Sequence, residues 1–280
     1  MNQSALKVMQ STIAVASYLA PSFCARLAFR QWFKTHRYNV PKREITWAST
    51  AKQISIPSEQ GQLNALVWSG TGPKVVLVHG WNGRASQMGA FAKPLCEAGF
   101  EVVAIDLPGH GGSYGNTSSL PLSAQALSDV EQFLGPIHAL VGHSFGGAVS
   151  LLAVSEGLQA KAVVTIGSPS KLEWLLDIYA EFLHLGPSAK RKLAGLLEDK
   201  YGPDVWQRCD FELTGPDLKA NALIIHDSHD KEVPDYHADI IAKASSAHLL
   251  KTSGLGHTRI LRNQNIMEEI VNFISAQKYS

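Results

Sequence analysis

Hydrophobic and polar positions alternate along this chain on a scale set by secondary structure. Short, almost wholly apolar runs recur at 75–78, 102–105, 137–141, 162–166, 222–225 and 248–250. Stretches with helical spacing separate them, over 86–98, 121–134, 145–156, 234–244 and 264–277. Strands that are apolar on both faces and alternate with helices predict an α/β architecture, a mostly parallel central sheet flanked by helices. Ahead of them, 53–57 and 63–68 are joined by the turn-forming Ser58-Glu59-Gln60-Gly61 and read as an antiparallel entry hairpin.

Two segments fall outside this rhythm. From Ser4 to about Thr35 the apolar positions Leu6, Met9, Ile13, Ala16, Leu19, Leu27 and Phe33 have helical spacing, interrupted at Pro21. The second is the interval between Ile166 and Ala222, far longer than the roughly two to six residues that usually connect elements of an α/β unit. Leu175, Ile178, Phe182 and Leu185 sit at helical spacing there, and 190–197 makes a second amphipathic stretch. The expected organisation is an N-terminal helical extension (1–41), a core built from 42–167 and 221–280, and a small helical cap (168–220) inserted after the sixth strand. Trp174, Phe182 and Trp206 either line an apolar pocket under that cap or, the preferred reading, hold it together.

Composition narrows the picture without naming a partner. A chain of 280 residues, 45% hydrophobic and 18% charged, is ordinary for a soluble globular protein, and its formal charge of +1 gives no global pull toward nucleic acid or polyanions. No stretch approaches the roughly 18 to 20 apolar residues of a membrane span. Cys24, Cys96 and Cys209 are odd in number and widely separated, which points away from a disulfide framework or thiolate zinc site and toward a reducing, cytoplasmic location. Ala14-Val15-Ala16 has the form of a signal-peptidase site, but the run before it is too short and too polar. The stretch 26–37 mixes Arg26, Arg30, Lys34 and Arg37 with Leu27, Phe29, Trp32 and Phe33. It could lie on a membrane surface, but a helix docked on its own protein is preferred.

The chemistry concentrates in a few loops. Gly142-His143-Ser144-Phe145-Gly146-Gly147 is a G-x-S-x-G pattern between an apolar strand and a helix, the context of a nucleophile elbow. A serine hydroxyl needs a base, and the base an orienting carboxylate. His257, in Gly254-Leu255-Gly256-His257 on a loop after the last strand, is the candidate base. Asp230, in His226-Asp227-Ser228-His229-Asp230, is the candidate acid, with Asp227 left as its competitor. The backbone amides of Phe145 and of Trp81, in His79-Gly80-Trp81-Asn82-Gly83, are the candidate oxyanion donors. The glycine-rich stretch Asp106–Ser113 lacks the pattern of a phosphate loop, and its Asp106 and His110 read as structural.

Taken in order, HGW, DLPGHGGS, GHSFGG, the Asp230 loop and GLGH make the chain from about Ile54 to Ala276 resemble the α/β-hydrolase superfamily, in particular its serine-nucleophile, carboxylesterase-like branch. The resemblance implies an α/β-hydrolase fold. It also implies that Ser144 attacks an acyl ester or thioester, His257 relays the proton, Asp230 holds the imidazole and water resolves the acyl-enzyme, with no metal or organic cofactor. Amide, C–C and perhydrolase chemistry use the same triad and stay open, as does a ligand-binding protein on this scaffold with vestigial hydrolysis. The oligomeric state is left open as well.

Overall fold

The structure is a computed structural model and describes residues 3–277. It divides into two compact units, Met1–Lys34 with Lys171–Asp210, and Thr35–Ser170 with Phe211–Ser280. In chain order the helices are α1 (Gln3–Leu19), α2 (Pro21–Trp32), α3 (Lys42–Ala48), α4 (Ala92–Glu97), α5 (Leu120–Leu134), α6 (Phe145–Ser155), α7 (Leu172–Phe182), α8 (Pro187–Tyr201), α9 (Val205–Arg208), α10 (Phe211–Thr214), α11 (Tyr236–Ser245), α12 (Gly256–Arg259) and α13 (Gln264–Ala276). The strands are β1 (Lys52–Ser58), β2 (Gly61–Trp68), β3 (Lys74–Val78), β4 (Glu101–Ile105), β5 (Ile137–His143), β6 (Ala162–Ile166), β7 (Asn221–Asp227) and β8 (His248–Thr252).

All eight strands form one sheet in the second unit, in the order β1-β2-β4-β3-β5-β6-β7-β8. β1 and β2 make the expected antiparallel hairpin, closing at Ser58 opposite Gly61, and β2 runs antiparallel to β4. Every pair from β4 through β8 is parallel. Because successive side chains point to opposite faces, each apolar run supplies both layers of core. Val75, Leu77, Val102, Ala104, Ala139, Val141, Val164, Leu223 and Ile225 face one layer, completed by Leu95 of α4 and by Ile266, Ile270 and Ile274 of α13. The other side of the sheet is covered by α5, α6 and α11. α13 presents an isoleucine every four residues and is capped by the Asn263 side chain, which accepts from the Ile266 amide at 3.2 Å.

The first unit has its own small core, in which Ala25, Ala28 and Phe33 pack with Leu176, Leu193 and Leu197. Pro21 occupies the first turn of α2, so the expected break falls where proline's missing N–H costs nothing. Trp206 donates its indole N–H to Glu198 at 2.6 Å and lines a cavity of about 560 Å³ with Leu176 and Ala194, while Phe182 stays half exposed.

Two elements differ from their expected form. The segment expected as one helix over 86–98 begins as a 3₁₀ turn, Ala85–Phe91, before α4. Its buried apolar side chains, Ala85, Met88 and Phe91, are spaced by three, the period of a 3₁₀ helix. α3 has no clear apolar period and escapes pattern reading; its Glu44 is buried, where it accepts from Ser86 at 3.1 Å and pairs with Arg84 at 3.4 Å.

Leu77 is fully buried on the central strand β3. Leu77→Ala is therefore expected to lower unfolding free energy by about 2–5 kcal/mol, read from the urea midpoint of the full chain.

Candidate active site

Strand order reverses around β3: the chain leaves it toward β4 and returns to pair β5 on its other side. The carboxyl ends of β3 and β5 therefore flank a topological switch point, where an open parallel sheet leaves a crevice. Ser144 stands at the end of β5. It is the single residue between strand and helix, with φ 53° and ψ −121°, and its amide donates to the Ile166 carbonyl at 2.8 Å. A non-glycine residue in this region costs about 1–3 kcal/mol, offset here by close packing around it. That packing requires glycine: a Cβ on Gly146 would collide with the backbone oxygens of Val78 and His79, and one on Gly142 would lie 2.5 Å from Gly147 backbone atoms. Ser144 is partly exposed although its neighbours His143 and Phe145 are buried.

The Asp230 carboxylate and the His257 imidazole are brought together, Nδ1 to Oδ2, at 2.6 Å, with both side chains almost fully buried. Asp230 Oδ1 accepts from the amides of Glu232 at 2.8 Å and Val233 at 3.0 Å. Burial alone would raise its pKa, but hydrogen bonds from His226, His257 and the Val233 amide hold it well below the usual carboxylate range. His257 sits in the first turn of α12 rather than on the open loop expected from its flanking glycines. Its Nε2 lies 3.7 Å from the exposed Glu232 carboxylate, and no hydrogen bond joins it to the Ser144 hydroxyl among the described residues.

Asp227 occupies a different environment. Its carboxylate accepts from the His229 amide at 3.0 Å, the Thr252 hydroxyl at 2.8 Å and the Leu255 amide at 2.9 Å. It thereby ties the end of β7 to the loop that leads into α12. Burial works against its ionisation, yet the Gly256 and Leu255 amides, Thr252 and His229 lower its pKa to about 2.

The loop after β3 passes against the Ser144 turn: a Cβ on Gly80 would stand 3.1 Å from Ser144 Cβ. Trp81, next along, packs edge-on against Phe145 with ring centroids 5.0 Å apart, so the two residues expected to donate to an oxyanion lie side by side. The Phe145 amide heads α6, where the first N–H groups have no intrahelical acceptor and the dipole favours negative charge. Asp106 and His110 brace this loop. Asp106 accepts from the Ala85 amide at 2.6 Å, the Asn64 side chain at 2.7 Å and the Gly112 amide at 2.8 Å; His110 Nε2 accepts from the Asn82 amide at 3.1 Å. An acceptor role requires neutral imidazole, and burial, with the neighbouring His79 adding to it, lowers the His110 pKa to about 3.

Two buried histidines join the site that pattern reading did not single out. His143 packs against His257 with the rings tilted at 47° and their centroids 4.7 Å apart, and its Nε2 donates to the His257 carbonyl at 2.9 Å. Burial, then the proximity of His257, lowers its pKa to about 3, so it stays neutral. His226, at the end of β7, donates from Nε2 to the Val233 carbonyl at 2.9 Å and approaches Asp230 Oδ2 at 3.5 Å. The only signal in the sequence was proximity, His143 beside Ser144 and His226 four residues before Asp230. Among the described residues no group of three or more His, Cys, Asp or Glu side chains is placed to hold a metal ion.

Residues 75–269 match the model of the alpha/beta hydrolase family, and the chain belongs to that family. It is 33% identical over 130 residues to an esterase of Mycobacterium tuberculosis, covering 44% of this chain and 42% of that protein. It is also 33% identical over 187 residues to the pimeloyl-[acyl-carrier protein] methyl ester esterase of Nitrosospira multiformis, covering 57% of this chain and 70% of that one. The chain spans about half the length of several of the curated relatives it matches. Among solved structures it is similar to a bacterial membrane phospholipase A at a TM-score of 0.65 and 16% identity, over 99% of this chain and 98% of that one, a likeness of fold alone.

Because its pKa is lowered, Asp227 contributes stability that is fully present above the unfolded-state value near 4 and lost as pH falls through about 2. Asp227→Asn should therefore cost about 2 kcal/mol at pH 7 in urea unfolding, with the gap to the native chain narrowing as pH drops below 4.

Proposed function

We propose that the chain is a serine hydrolase that cleaves a carboxylic ester or thioester through an acyl-enzyme on Ser144. The observation that carries this reading is the Asp230–His257 hydrogen bond at 2.6 Å beside the strained Ser144 turn. His257 takes the serine proton as the hydroxyl attacks the acyl carbonyl, and returns it to the leaving alcohol or thiol. Water, activated by the same imidazole, then releases the acid. Asp230, held ionised by its hydrogen bonds, fixes the tautomer with Nδ1 protonated and Nε2 free to accept, and stabilises the imidazolium that forms. The amides of Trp81 and Phe145 receive the developing oxyanion, each contributing about 3 kcal/mol of transition-state stabilisation. The catalytic bond between Ser144 and His257 forms when substrate excludes water, since such bonds are often long in unliganded sites.

Ester rather than amide chemistry is favoured by the two curated relatives described above, both of which are esterases by name.

A series of p-nitrophenyl esters from acetyl to lauroyl tests the reading. The native chain should turn over at least one member, and Ser144→Ala should lower kcat/KM by at least about 10³-fold. Asp230→Asn should lower kcat by roughly 10³–10⁴-fold while leaving KM nearly unchanged. Asp227→Asn, measured where it remains folded, should stay within about tenfold of native. A native chain as inert as Ser144→Ala across the series and with acyl thioesters overturns the proposal; loss on Asp227→Asn but not on Asp230→Asn reassigns the acid.

A further inference from the structure

One face of α2 is docked: Cys24, Ala25 and Ala28 are buried, and Tyr179 donates its hydroxyl to the Ala28 carbonyl at 3.0 Å. α1 is likewise held from one side, where Ser17 is buried and accepts from the Gly186 amide at 2.9 Å. The opposite faces of both helices are open and apolar. Val8, Val15, Tyr18 and Leu19 share the outer stripe of α1, and Phe23 and Leu27 that of α2. They converge where α1 meets α2, and there Tyr18 is 72%, Leu19 82% and Phe23 62% exposed. Large apolar groups this exposed and this close together mark an interaction surface.

Charge says what covers it. Residues 3–34 contain Lys7, Arg26, Arg30 and Lys34 and no Asp or Glu; the first acidic residue of the chain is Glu44. All four cations are exposed, and among the described residues none has a carboxylate partner. On α2, Arg26 and Arg30 fall on the same stripe as Phe23 and Leu27, and Lys34 follows just beyond the end of the helix, so cations border the apolar groups. No helix among the described residues is long and apolar enough to cross a membrane. An apolar stripe interleaved with unpaired cations suits a helix lying in the plane of an anionic bilayer, apolar side chains among the acyl chains and cations at the headgroup phosphates. A second copy of the chain fits poorly, because a symmetric contact would bring two all-cationic faces together without a compensating acid.

We propose that the outer face of α1 and α2, with Tyr18, Leu19 and Phe23 at its apex and Lys7, Arg26, Arg30 and Lys34 at its border, docks the protein on an anionic lipid surface. The surface acts independently of the hydrolysis assigned to Ser144.

Flotation of the full chain with vesicles decides it, comparing phosphatidylcholine alone with phosphatidylcholine carrying about 30 mol% phosphatidylglycerol. The bound-to-free ratio should be at least about tenfold higher on the anionic vesicles and should fall as salt is raised. Leu19→Ser with Phe23→Ser, and separately Arg26→Glu with Arg30→Glu, should each lower binding at least about tenfold. Both pairs lie on exposed positions, so their thermal melts should match the native chain and distinguish lost docking from lost folding. No binding to either vesicle, equal binding to both, or binding that survives both double variants overturns the proposal. So does lipid-free dimerisation that the Leu19/Phe23 variant abolishes, which would give the face to a second copy.

Discussion

Strands buried on both faces leave little room along their length for polar groups, and that constraint arranges the rest of the second unit. Val75 to Val78, Val102 to Ile105 and Ala139 to Val141 are all fully buried. Unpaired polarity in such a layer would cost several kcal/mol per group, so polar chemistry is displaced to the strand ends. The reversal of strand order around β3 opens the sheet at one of those ends, and Ser144 and the Gly80 loop occupy it. Glycines at 142 and 146 let the backbone of β5, β3 and α6 approach closely enough to hold Ser144 in a conformation an isolated serine would leave.

Electrostatics then separates groups that look alike. Asp227 and Asp230 lie three residues apart, and both are held as carboxylates against the cost of burial. Asp227 spends its acceptors on a hydroxyl and the amides of two loops, which makes it a clamp. Asp230 uses one oxygen on local amides and turns the other to His257. The histidines divide in the same way: His110 and His143 are kept neutral by burial and serve as fixed hydrogen-bonding braces, while His257 keeps a carboxylate at Nδ1. The proposed hydrolysis needs such a division, one imidazole that can gain a proton in surroundings that do not compete for it.

The proposed lipid face of the first unit follows a different rule. Its core is small, and the helices that build it have one face to bury and another left open. An acid-free stretch bearing four cations keeps that open face from pairing with copies of itself while leaving it complementary to an anionic surface.

Periodicity sufficed for the parallel sheet, because apolar runs that alternate with helices have few other ways to bury both faces. The break at Pro21 followed from proline's lack of an N–H, and the strand-turn-helix setting of Ser144 from the glycines that such a turn demands. The sequence contained both candidate acids and favoured Asp230 over Asp227 only by its place in the loop after the strand; what separates them in the fold is which distant groups their oxygens meet, Thr252 and Leu255 for Asp227 and His257 for Asp230. His143 entered the site by the same route, through a contact with His257 far along the chain, whereas His226 meets Asp230 and Val233 within the turn that follows β7. The 3₁₀ turn at Ala85–Phe91 and the α3 helix with its buried Glu44 were likewise decided by tertiary burial, which overrides the weak local preferences of short segments. Local pattern is set by near neighbours in the chain and can be read there. The pairing of side chains from remote segments is set by how the sheet stacks, and only the folded molecule specifies it.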